Sequence, residues 1–450
     1  PVLLRRPQMA EIKATTTLDT TGKCCPMPMV ETTKAIKALA SGDILEIVAT
    51  DVGTRRDIPS WCERSGHTLL SMTGIRRAGD DLHLSGDRIQ VTSPGRLDIP
   101  QDEFSRLGRK MVSSGNPAMK SRVFVRTLLN PSMHEMFEAA MDICGECDAA
   151  LGHPFAYSLR AAAALRGIPW FSLLPTPLIP STTVPPPGFP GVFPEKGWKA
   201  FGLAMDMLWR PDIAGHFRQW GLPAPESVFR DIFRSDLQNL VAVSPALYPG
   251  GGVPGFEFCG MMDLPGQGNG DMPVSLQDFL ASGEPPVFLT FGSMLQGEER
   301  EKDIIDIIVK AVAIVGCRAV VQCGAGKSGG NIHFVSKVDH MSVFPHCAAV
   351  VHHGGAGTSQ TACRAGVPSV VVEYTADQPV WGRILHRAGV APGVLHRRSL
   401  TPGKLARKID VVLTDKDYST GARRMAFRMK EENGVETAVR LMEMTLGGMS

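Results

Sequence analysis

The hydrophobic positions in the first ninety residues alternate between strand-like and helix-like spacing. TTTLD (15–19) and DILEIVAT (43–50) have the spacing of short strands, whereas MVETTKAIKALA (29–40) repeats its apolar residues with helical periodicity. TRRDIPSWCERSG (54–66) predicts a short second helix, and HTLLSMTGIRRAGDDLHL (67–84) predicts a hairpin. The order β-α-β-α-β-β predicts a two-layer α/β sandwich with helices on one face.

The pattern changes beyond about residue 120 to longer helices that alternate with short apolar strands. A helix near 131–146 leads to the strand DAALG, and a second helix, AYSLRAAAALRG, leads to the strand IPWFSLL. The same alternation returns in PPVFLTFGS, EEREKDIIDIIVKAVAIVG, RAVVQCG and AAVVHHGGAGTSQTACRAGVPSVVVEY. Strands separated by helices pair in parallel. We therefore expect two Rossmann-like halves that face each other.

Composition narrows the class of protein. The 450 residues are 43% hydrophobic and 20% charged with a net charge of +2, so no strong field favours nucleic acid or an anionic membrane. The longest apolar runs are of strand length, which excludes a membrane span and leaves at most peripheral membrane contact. Ten cysteines without a repeating spacing predict reduced thiols and a cytoplasmic location.

The segment TGKCCPMPMV (21–30) places a thiol where a helix begins. Pro26 suits the first helical position, so Cys25 falls at the N-terminal cap, beside unpaired backbone N–H groups. That environment lowers the pKa of a thiol and favours its thiolate. The alternative is a buried cysteine that only packs, which is also the expected role of Cys24 and Cys62.

The surroundings of this cysteine resemble the TusA-like (SirA-like) sulfur-carrier family over residues 9–86. The likeness centres on the Cys-Pro-x-Pro of Cys25, Pro26, Met27 and Pro28 and continues through GDILEIVATDVGTRRDIPSWCERSGHTLL. It implies that Cys25 carries a persulfide and passes sulfur on, with a sulfurtransferase as a possible partner.

A glycine-rich turn, VVHHGGAGTSQ (350–360), has the densest chemistry in the chain. Three glycines follow a strand and precede a helix that Thr358 opens, so backbone N–H groups and the helix dipole are available to a phosphate. His352, at the end of the strand, is a further donor. Many such turns bind nothing, which is the alternative for this one. The three glycines are Gly354, Gly355 and Gly357.

Two more strand ends carry small or polar residues. Gly292 and Ser293 follow the strand in FLTFGSM. Asp377 and Gln378, in EYTADQPVWGR, follow the strand that comes after the glycine-rich turn. A carboxylate beside an amide suits the vicinal hydroxyls of a sugar. All these groups fall at carboxyl ends of strands, where ligands bind in open α/β sheets.

Together these segments resemble the GT-B UDP-glycosyltransferase superfamily, especially its sterol glucosyltransferases and antibiotic glycosyltransferases. The likeness includes LRGIPWFSLLPTP, PPVFLTFGSM and FPHCAAVVHHGGAGTSQTACRAGVPSVVVEYTADQPVWGRIL. It implies an acceptor half at 90–265, apparently incomplete, and a nucleotide-sugar half at 266–450. Ser293, His352, the three glycines and Thr358 would hold the donor diphosphate, and Asp377 with Gln378 the transferred sugar. No metal is implied, because the helix dipole and His352 can neutralise the leaving group, and no cofactor is implied, because the nucleotide sugar is a co-substrate.

The catalytic base of this family comes from the acceptor half, whose first strand, helix and second strand are replaced here by the small module. Two candidates are present. Asp57 lies in ATDVGTRRDIPSW, which echoes a glycosyltransferase turn but fits the sulfur-carrier pattern better. His153 in LGHPF follows a strand, although a histidine bonded to nearby backbone is the simpler interpretation.

The sequence thus predicts an inverting, metal-independent transferase that moves a hexose, expected to come from UDP-glucose, to a hydroxyl of a sterol, lipid or similar hydrophobic acceptor. HMSVF (340–344) replaces an aromatic-containing stretch of relatives and leaves the nucleobase open. The alternative function is a sulfur-relay protein whose larger part binds a nucleotide sugar without turning it over.

Overall fold

The computed structural model divides the chain into two compact units, Pro1–Pro100 and Gln101–Ser450. The structure describes residues 14–20, 27–40, 43–49, 58, 61–62, 67–75, 86–92, 125–126, 130, 133–145, 147–181, 184–186, 189, 193–248, 253–262, 272–292, 298–323, 326–374 and 377–448.

The smaller unit is a four-stranded mixed sheet with strand order β1-β2-β4-β3. Its apolar core contains Ile36, Leu45, Ile47, Ile58 and Cys62, so the predicted packing role of Cys62 is confirmed. Burial alternates along β2, which is the pattern of a strand with one face on the core. Its elements are β1 (Thr16–Asp19), α1 (Met27–Lys37), β2 (Ile44–Ala49), β3 (Thr68–Ile75) and β4 (Gly86–Thr92).

The last strand of this sheet lies later in the chain than the predicted hairpin. β3 pairs antiparallel with Gly86–Thr92, and the predicted DLHL strand falls outside the described residues. In β4, Val91 and Ile89 stand opposite Leu45 and Ile47 of β2, so the apolar alternation of GDRIQVT matches that of its partner. The pairing of this strand with β2, which lies far away in sequence, could not be predicted from the local pattern.

The first half of the larger unit, residues 125–262, has a sheet of four parallel strands in the order β5-β6-β7-β8. Its elements are α2 (Met133–Cys144), β5 (Ala150–Gly152), α3 (Tyr157–Arg166), β6 (Trp170–Leu174), α4 (Pro194–Gln219), α5 (Val228–Asp231), β7 (Asn239–Val241) and β8 (Glu257–Phe258).

The second half has six parallel strands in the order β11-β10-β9-β12-β13-β14. Counted from β9, this is the order 3-2-1-4-5-6 of the doubly wound nucleotide-binding fold. Its elements are α6 (Val274–Ala281), β9 (Val287–Thr290), α7 (Glu298–Val315), β10 (Ala319–Gln322), β11 (Ile332–Val335), α8 (His340–Val343), β12 (Ala349–His352), α9 (Ala356–Arg364), β13 (Ser369–Glu373), α10 (Gln378–Arg387), β14 (Val394–His396), α11 (Pro402–Thr414), α12 (Lys416–Met429) and α13 (Gly434–Gly447).

The two parallel sheets confirm the predicted pair of Rossmann-like halves. Four strands in the described part of the first half stand against six in the second, in agreement with a first half that is smaller than its counterpart. The central strands β9, β12 and β13 are buried on both faces, which explains their near-continuous runs of valine and other apolar residues.

Gln360 of α9 joins the two halves through a pair of buried hydrogen bonds. Its Oε1 accepts from the backbone N–H of Ser244 at 2.8 Å, and its Nε2 donates to the carbonyl of Ala242 at 3.1 Å. The hydroxyl of Ser244 donates in turn to Glu432 at 2.7 Å. Farther along, Thr445 of α13 donates to Gln238 at 2.9 Å, so the C-terminal helix returns to the first half.

Replacement of Gln360 by alanine is expected to lower the thermal unfolding midpoint by roughly 5–10 °C. Two buried backbone groups would lose their partners, at about 1–3 kcal/mol each. Differential scanning calorimetry measures the shift. Gln277→Ala, which removes one exposed hydrogen bond to Met272, is the matched control and should shift the midpoint far less. Equal shifts in the two variants would contradict the role assigned to Gln360.

Candidate functional site

The carboxyl ends of β9 and β12 lie side by side at the point where strand order in the second sheet reverses. Ligands of doubly wound sheets bind in the crevice at this position. Gly292 follows β9 with φ +52° and Gly354 follows β12 with φ +84°. A Cβ on Gly292 would stand 3.2 Å from the ring of His353, so the two turns are in contact. The fold thus brings together two segments that are 60 residues apart.

The glycine turn after β12 leads directly into an uncapped helix. Gly355 occupies the N-cap of α9 and supplies no side-chain hydrogen bond, and the first helical bond runs from Ser359 N–H to the carbonyl of Gly355. The amides of Ala356, Gly357 and Thr358 therefore lack intrahelical acceptors. Thr358 itself is partly exposed. A side chain caps each of α11, α12 and α13, whereas α3, α4, α6 and α10, like α9, begin without a side-chain cap.

Each glycine of the turn meets a different constraint. A Cβ on Gly354 would lie 3.0 Å from Val371 and 3.2 Å from the carbonyl of Gln378, at a φ that already favours glycine. A Cβ on Gly355 would lie 2.5 Å from Nε2 of His353. Apart from its chain neighbours and its own helix backbone, no atom of the described residues lies within 4 Å of the Cβ position of Gly357, which is exposed. Close packing therefore explains the first two glycines but not the third.

His352 is fully buried at the end of β12. Its Nδ1 accepts a hydrogen bond from Gly354 N–H at 3.1 Å, so the neutral ring carries its proton on Nε2. Burial, reinforced by His353 and His340, lowers the pKa of His352 to about 3. The ring therefore offers a hydrogen-bond donor and no positive charge, and its Nε2 has no partner within the described structure.

His353, which the sequence analysis did not single out, lies between the two glycine turns. Burial and, secondarily, His340 lower its pKa to about 4. His340 is hydrogen-bonded to Oε1 of Gln322 at 2.8 Å, and the same oxygen accepts from the Thr290 hydroxyl at 2.8 Å. The two adjacent histidines in HHGG could have drawn attention to His353. Its position between the two turns, however, follows only from the pairing of β9 with β12.

Asp377 and Gln378 begin α10 beside the same turn. Asp377 accepts a hydrogen bond from the indole N–H of Trp381 at 3.1 Å, and burial raises the pKa of its carboxyl. Gln378 is 5% exposed and its side-chain oxygen accepts from Tyr374 N–H at 2.7 Å. The backbone carbonyl oxygen of Gln378 lies 3.2 Å from the Cβ position of Gly354, so the start of α10 and the glycine turn are adjacent.

The remaining predicted residues are either outside the described residues or in the first half of the larger unit. Cys25, Asp57 and Ser293 lie outside the described residues. His153 follows β5 at the edge of the first sheet, and its Nδ1 accepts from Phe155 N–H at 3.0 Å. Burial lowers its pKa. With Nδ1 so engaged, the neutral ring holds its proton on Nε2, where it is a donor and not a proton acceptor.

The buried histidines make the fold sensitive to acid. An unfolded histidine gains a proton as the pH falls below about 6.5, whereas native His352 stays neutral to about pH 3. The unfolded state thus binds more protons between these values, and the free energy of unfolding falls by up to ~1.4 kcal/mol per pH unit.

The expected result is a thermal midpoint that drops between pH 7 and pH 4.5 in the wild type and drops less in His352→Asn. Calorimetry over this pH range measures both slopes. His134→Asn, a change at an exposed histidine of α2, is the control and should keep the wild-type slope. A slope unchanged by His352→Asn would contradict the assignment of a buried neutral ring.

The described residues contain neither a membrane-spanning helix nor a cluster of metal-ligating side chains. No helix among them combines the length and apolar character needed to cross a bilayer. Within the same residues, no group of three histidine, cysteine, aspartate or glutamate side chains is placed to hold a metal ion.

Comparisons with known proteins agree with the two-unit organisation. Residues 16–77 match the family Sulfurtransferase TusA, and residues 307–444 match the family Erythromycin biosynthesis protein CIII-like, C-terminal domain. The chain is 30% identical over 312 residues to sterol 3-beta-glucosyltransferase UGT80A2 of Arabidopsis thaliana, which covers 66% of this chain and 48% of that protein.

A second relative is O-mycaminosyltylonolide 6-deoxyallosyltransferase of Streptomyces fradiae, 38% identical over 171 residues, 37% of this chain and 40% of that protein. The chain thus spans about half the length, or less, of these two relatives.

Solved structures with the same fold include two glycosyltransferases. The glycosyltransferase of kitacinnamycin has a TM-score of 0.54 at 21% identity and covers 71% of this chain and 84% of its own. The calicheamicin glycosyltransferase CalG4 has a TM-score of 0.53 at 18% identity and covers 73% and 80%. Residues 16–77 are therefore similar to the TusA family and residues 307–444 to the EryCIII-like C-terminal domain, and the larger unit has the GT-B fold of these solved glycosyltransferases.

Proposed function

We propose that the larger unit transfers a hexose from a nucleotide diphosphate sugar, with UDP-glucose as the donor, to a hydroxyl of a hydrophobic acceptor such as a sterol or lipid. The observation that carries this proposal is the N-terminus of α9, which has no side-chain cap and has the exposed Gly357 as its second residue. It lies where the strand order of the doubly wound sheet reverses. Amide N–H groups at a helix N-terminus bind phosphate through hydrogen bonds and the helix dipole. The curated relatives, a glucosyltransferase and a deoxyallosyltransferase, support sugar transfer.

In this proposal the diphosphate contacts the amides of Gly357 and Thr358, with Ser293 and the Nε2–H of His352 as further donors. Asp377 and Gln378 bind hydroxyls of the hexose, and Gly354 and Gly355 keep the turn tight enough for both groups. Since His352 is neutral, stabilisation of the leaving diphosphate comes mainly from the amides and the dipole of α9. This arrangement requires no metal.

The proposed reaction is a single displacement with inversion. The acceptor hydroxyl oxygen attacks the anomeric carbon, the bond from that carbon to the diphosphate oxygen breaks, and the nucleoside diphosphate leaves with the electron pair. A base must take the hydroxyl proton. The proposed candidates for this base are Asp57 and His153. His153 can accept the proton on Nδ1 only if its ring gives up the hydrogen bond from Phe155 N–H.

The direct test is incubation of the full chain with UDP-glucose and a panel of sterols and lipids, followed by mass spectrometry of the products. The proposal expects an acceptor heavier by one hexose and stoichiometric release of UDP. UDP-glucose that binds but is neither hydrolysed nor transferred would refute the enzyme and support the alternative, a sulfur-relay protein with an inactive nucleotide-sugar site.

That alternative is favoured by the TusA match over residues 16–77, which includes Cys25. If the smaller unit carries sulfur, intact-protein mass after incubation with a cysteine desulfurase and cysteine should increase by one sulfur atom. Cys25→Ser should abolish the increase and Cys24→Ser should keep it. Equal loading of the two variants would remove the carrier role of Cys25.

A further inference from the structure

The long helix α4 of the first half has large apolar side chains on the side that faces solvent. Its inner side is fixed in the core, where Trp198 and Trp209 are buried and the indole N–H of Trp198 donates to the carbonyl of Val184 at 2.8 Å. On the outer side, Leu203 is 66% exposed and Met207 is 80% exposed. The helix is thus firmly packed and still leaves apolar surface in water, which is unfavourable for the isolated chain.

Cations share this outer side of the helix. Successive helical residues are about 100° apart, so the exposed apolar and cationic side chains from the start of α4 onward fall within about a third of its circumference. Phe193, 62% exposed at the N-cap, lies under Nζ of Lys196, which is 5.0 Å from the ring centroid. The outer face of α4 is defined by six exposed side chains: Phe193, Lys196, Lys199, Leu203, Met207 and Arg210.

The carboxylates of α4 lie away from its outer face. All three of them, Glu195, Asp206 and Asp212, fall outside the same third of the circumference. Asp206 accepts the backbone N–H that begins α5 at 2.6 Å. Next to the outer face, the carboxylate of Glu226 is paired with Arg230 at 2.8 Å. The outer face therefore combines apolar side chains with local positive charge, although the whole chain has a net charge of only +2.

This combination is complementary to an anionic lipid surface. We propose that the outer face of α4 docks on a bilayer that contains anionic phospholipids. A helix that lies in the membrane interface places its apolar side chains between the headgroups and the acyl chains, while lysine and arginine extend their charged ends to the phosphates. A second copy of the chain fits this face less well, because a two-fold contact would set the same cations against one another.

The docking does not depend on the proposed sugar transfer, because it uses neither the donor site nor a nucleotide sugar. If the proposed function also holds, docking brings the larger unit to the surface in which a sterol or lipid acceptor is dissolved. The two proposals are tested by separate measurements, so either one can fail without the other.

Sedimentation of the full chain with phospholipid vesicles, in the absence of nucleotide sugar, measures the docking. At about 0.1 M salt the chain should bind vesicles with about 30 mol% phosphatidylserine at least tenfold more tightly than pure phosphatidylcholine vesicles. Lys196→Gln combined with Lys199→Gln should weaken this binding by about 30-fold, or ~2 kcal/mol. Lys302→Gln combined with Lys310→Gln changes the net charge equally on the exposed side of α7 and should leave the binding unchanged.

A matched pair of substitutions tests the apolar contribution. Leu203→Ser should weaken binding to the phosphatidylserine vesicles by about tenfold, because the leucine side chain leaves water on docking. Ile314→Ser on α7, where the isoleucine is 64% exposed, is the control and should bind as the wild type does. Both changes are at the surface, so the thermal midpoints should stay within about 2 °C of the wild type.

A chain that stays in the supernatant with both kinds of vesicle, or equal binding by Leu203→Ser and Ile314→Ser, would overturn the proposal. A dimer in light scattering that Leu203→Ser dissociates, without vesicle binding, would assign the face to a second copy and also overturn it. Calorimetry with UDP in the absence of vesicles should give the same affinity for the wild type and Leu203→Ser. Loss of UDP binding therefore reports on the donor site, and loss of vesicle binding reports on the outer face of α4.

Discussion

Gly357→Val is expected to weaken the binding of UDP by about 100-fold, or ~2.7 kcal/mol, and to move the thermal midpoint by less than about 2 °C. Among the residues that the structure describes, none outside the start of α9 itself comes within 4 Å of the Cβ position of Gly357, so this part of the fold accepts a side chain there. A valine would, however, occupy the space that a phosphate must enter to reach the amides of α9. Isothermal titration calorimetry with UDP measures the affinity.

The matched control for this prediction is Gly403→Val. Gly403 is also the second residue of a helix, α11, and is exposed. Beyond its own helix, no described residue has an atom within 4 Å of its Cβ position. It should leave UDP affinity unchanged. A Gly357→Val protein that binds UDP as tightly as Gly403→Val would show that the diphosphate does not rest on this turn.

Asp377→Asn is expected to reduce the rate of sugar transfer by roughly 100-fold or more and to change UDP affinity by less than about threefold. A carboxylate that accepts two sugar hydroxyls contributes about 3–4 kcal/mol through charged hydrogen bonds, and UDP has no hexose to make them. The asparagine oxygen can still accept from Trp381, which preserves the start of α10. Steady-state kinetics with UDP-glucose and calorimetry with UDP give the two readouts.

Asp415→Asn provides the control, because Asp415 is likewise an aspartate at a helix N-cap, that of α12. Asparagine caps helices as well as aspartate does, so transfer should stay at the wild-type rate. Loss of UDP binding in Asp377→Asn equal to the loss of transfer would mean that Asp377 supports the nucleotide site as a whole and not the hexose.

The sequence predicted those features of the site that depend on neighbours along the chain. Valine-rich runs followed by glycines indicated buried parallel strands with open carboxyl ends, and Gly354 does adopt the positive φ that such a turn requires. Asp377 likewise lies at the start of a helix after a strand. In each case the relevant contacts are within a few residues.

Other features depend on contacts between distant segments and were not predicted. The position of His353 against Gly292 follows from the pairing of β9 with β12, and strand order cannot be read from periodicity. Gln360 bonds to residues more than 110 positions away, so its sequence surroundings show only a polar residue in a helix. Similarly, β4 was selected by its register with β2.

The most direct test of the proposed donor site is a crystal structure of the full chain with UDP bound. The β-phosphate should lie within hydrogen-bonding distance of the backbone nitrogens of Gly357 and Thr358, at the start of α9. A diphosphate bound at any other strand end, with the α9 amides facing solvent, would contradict it.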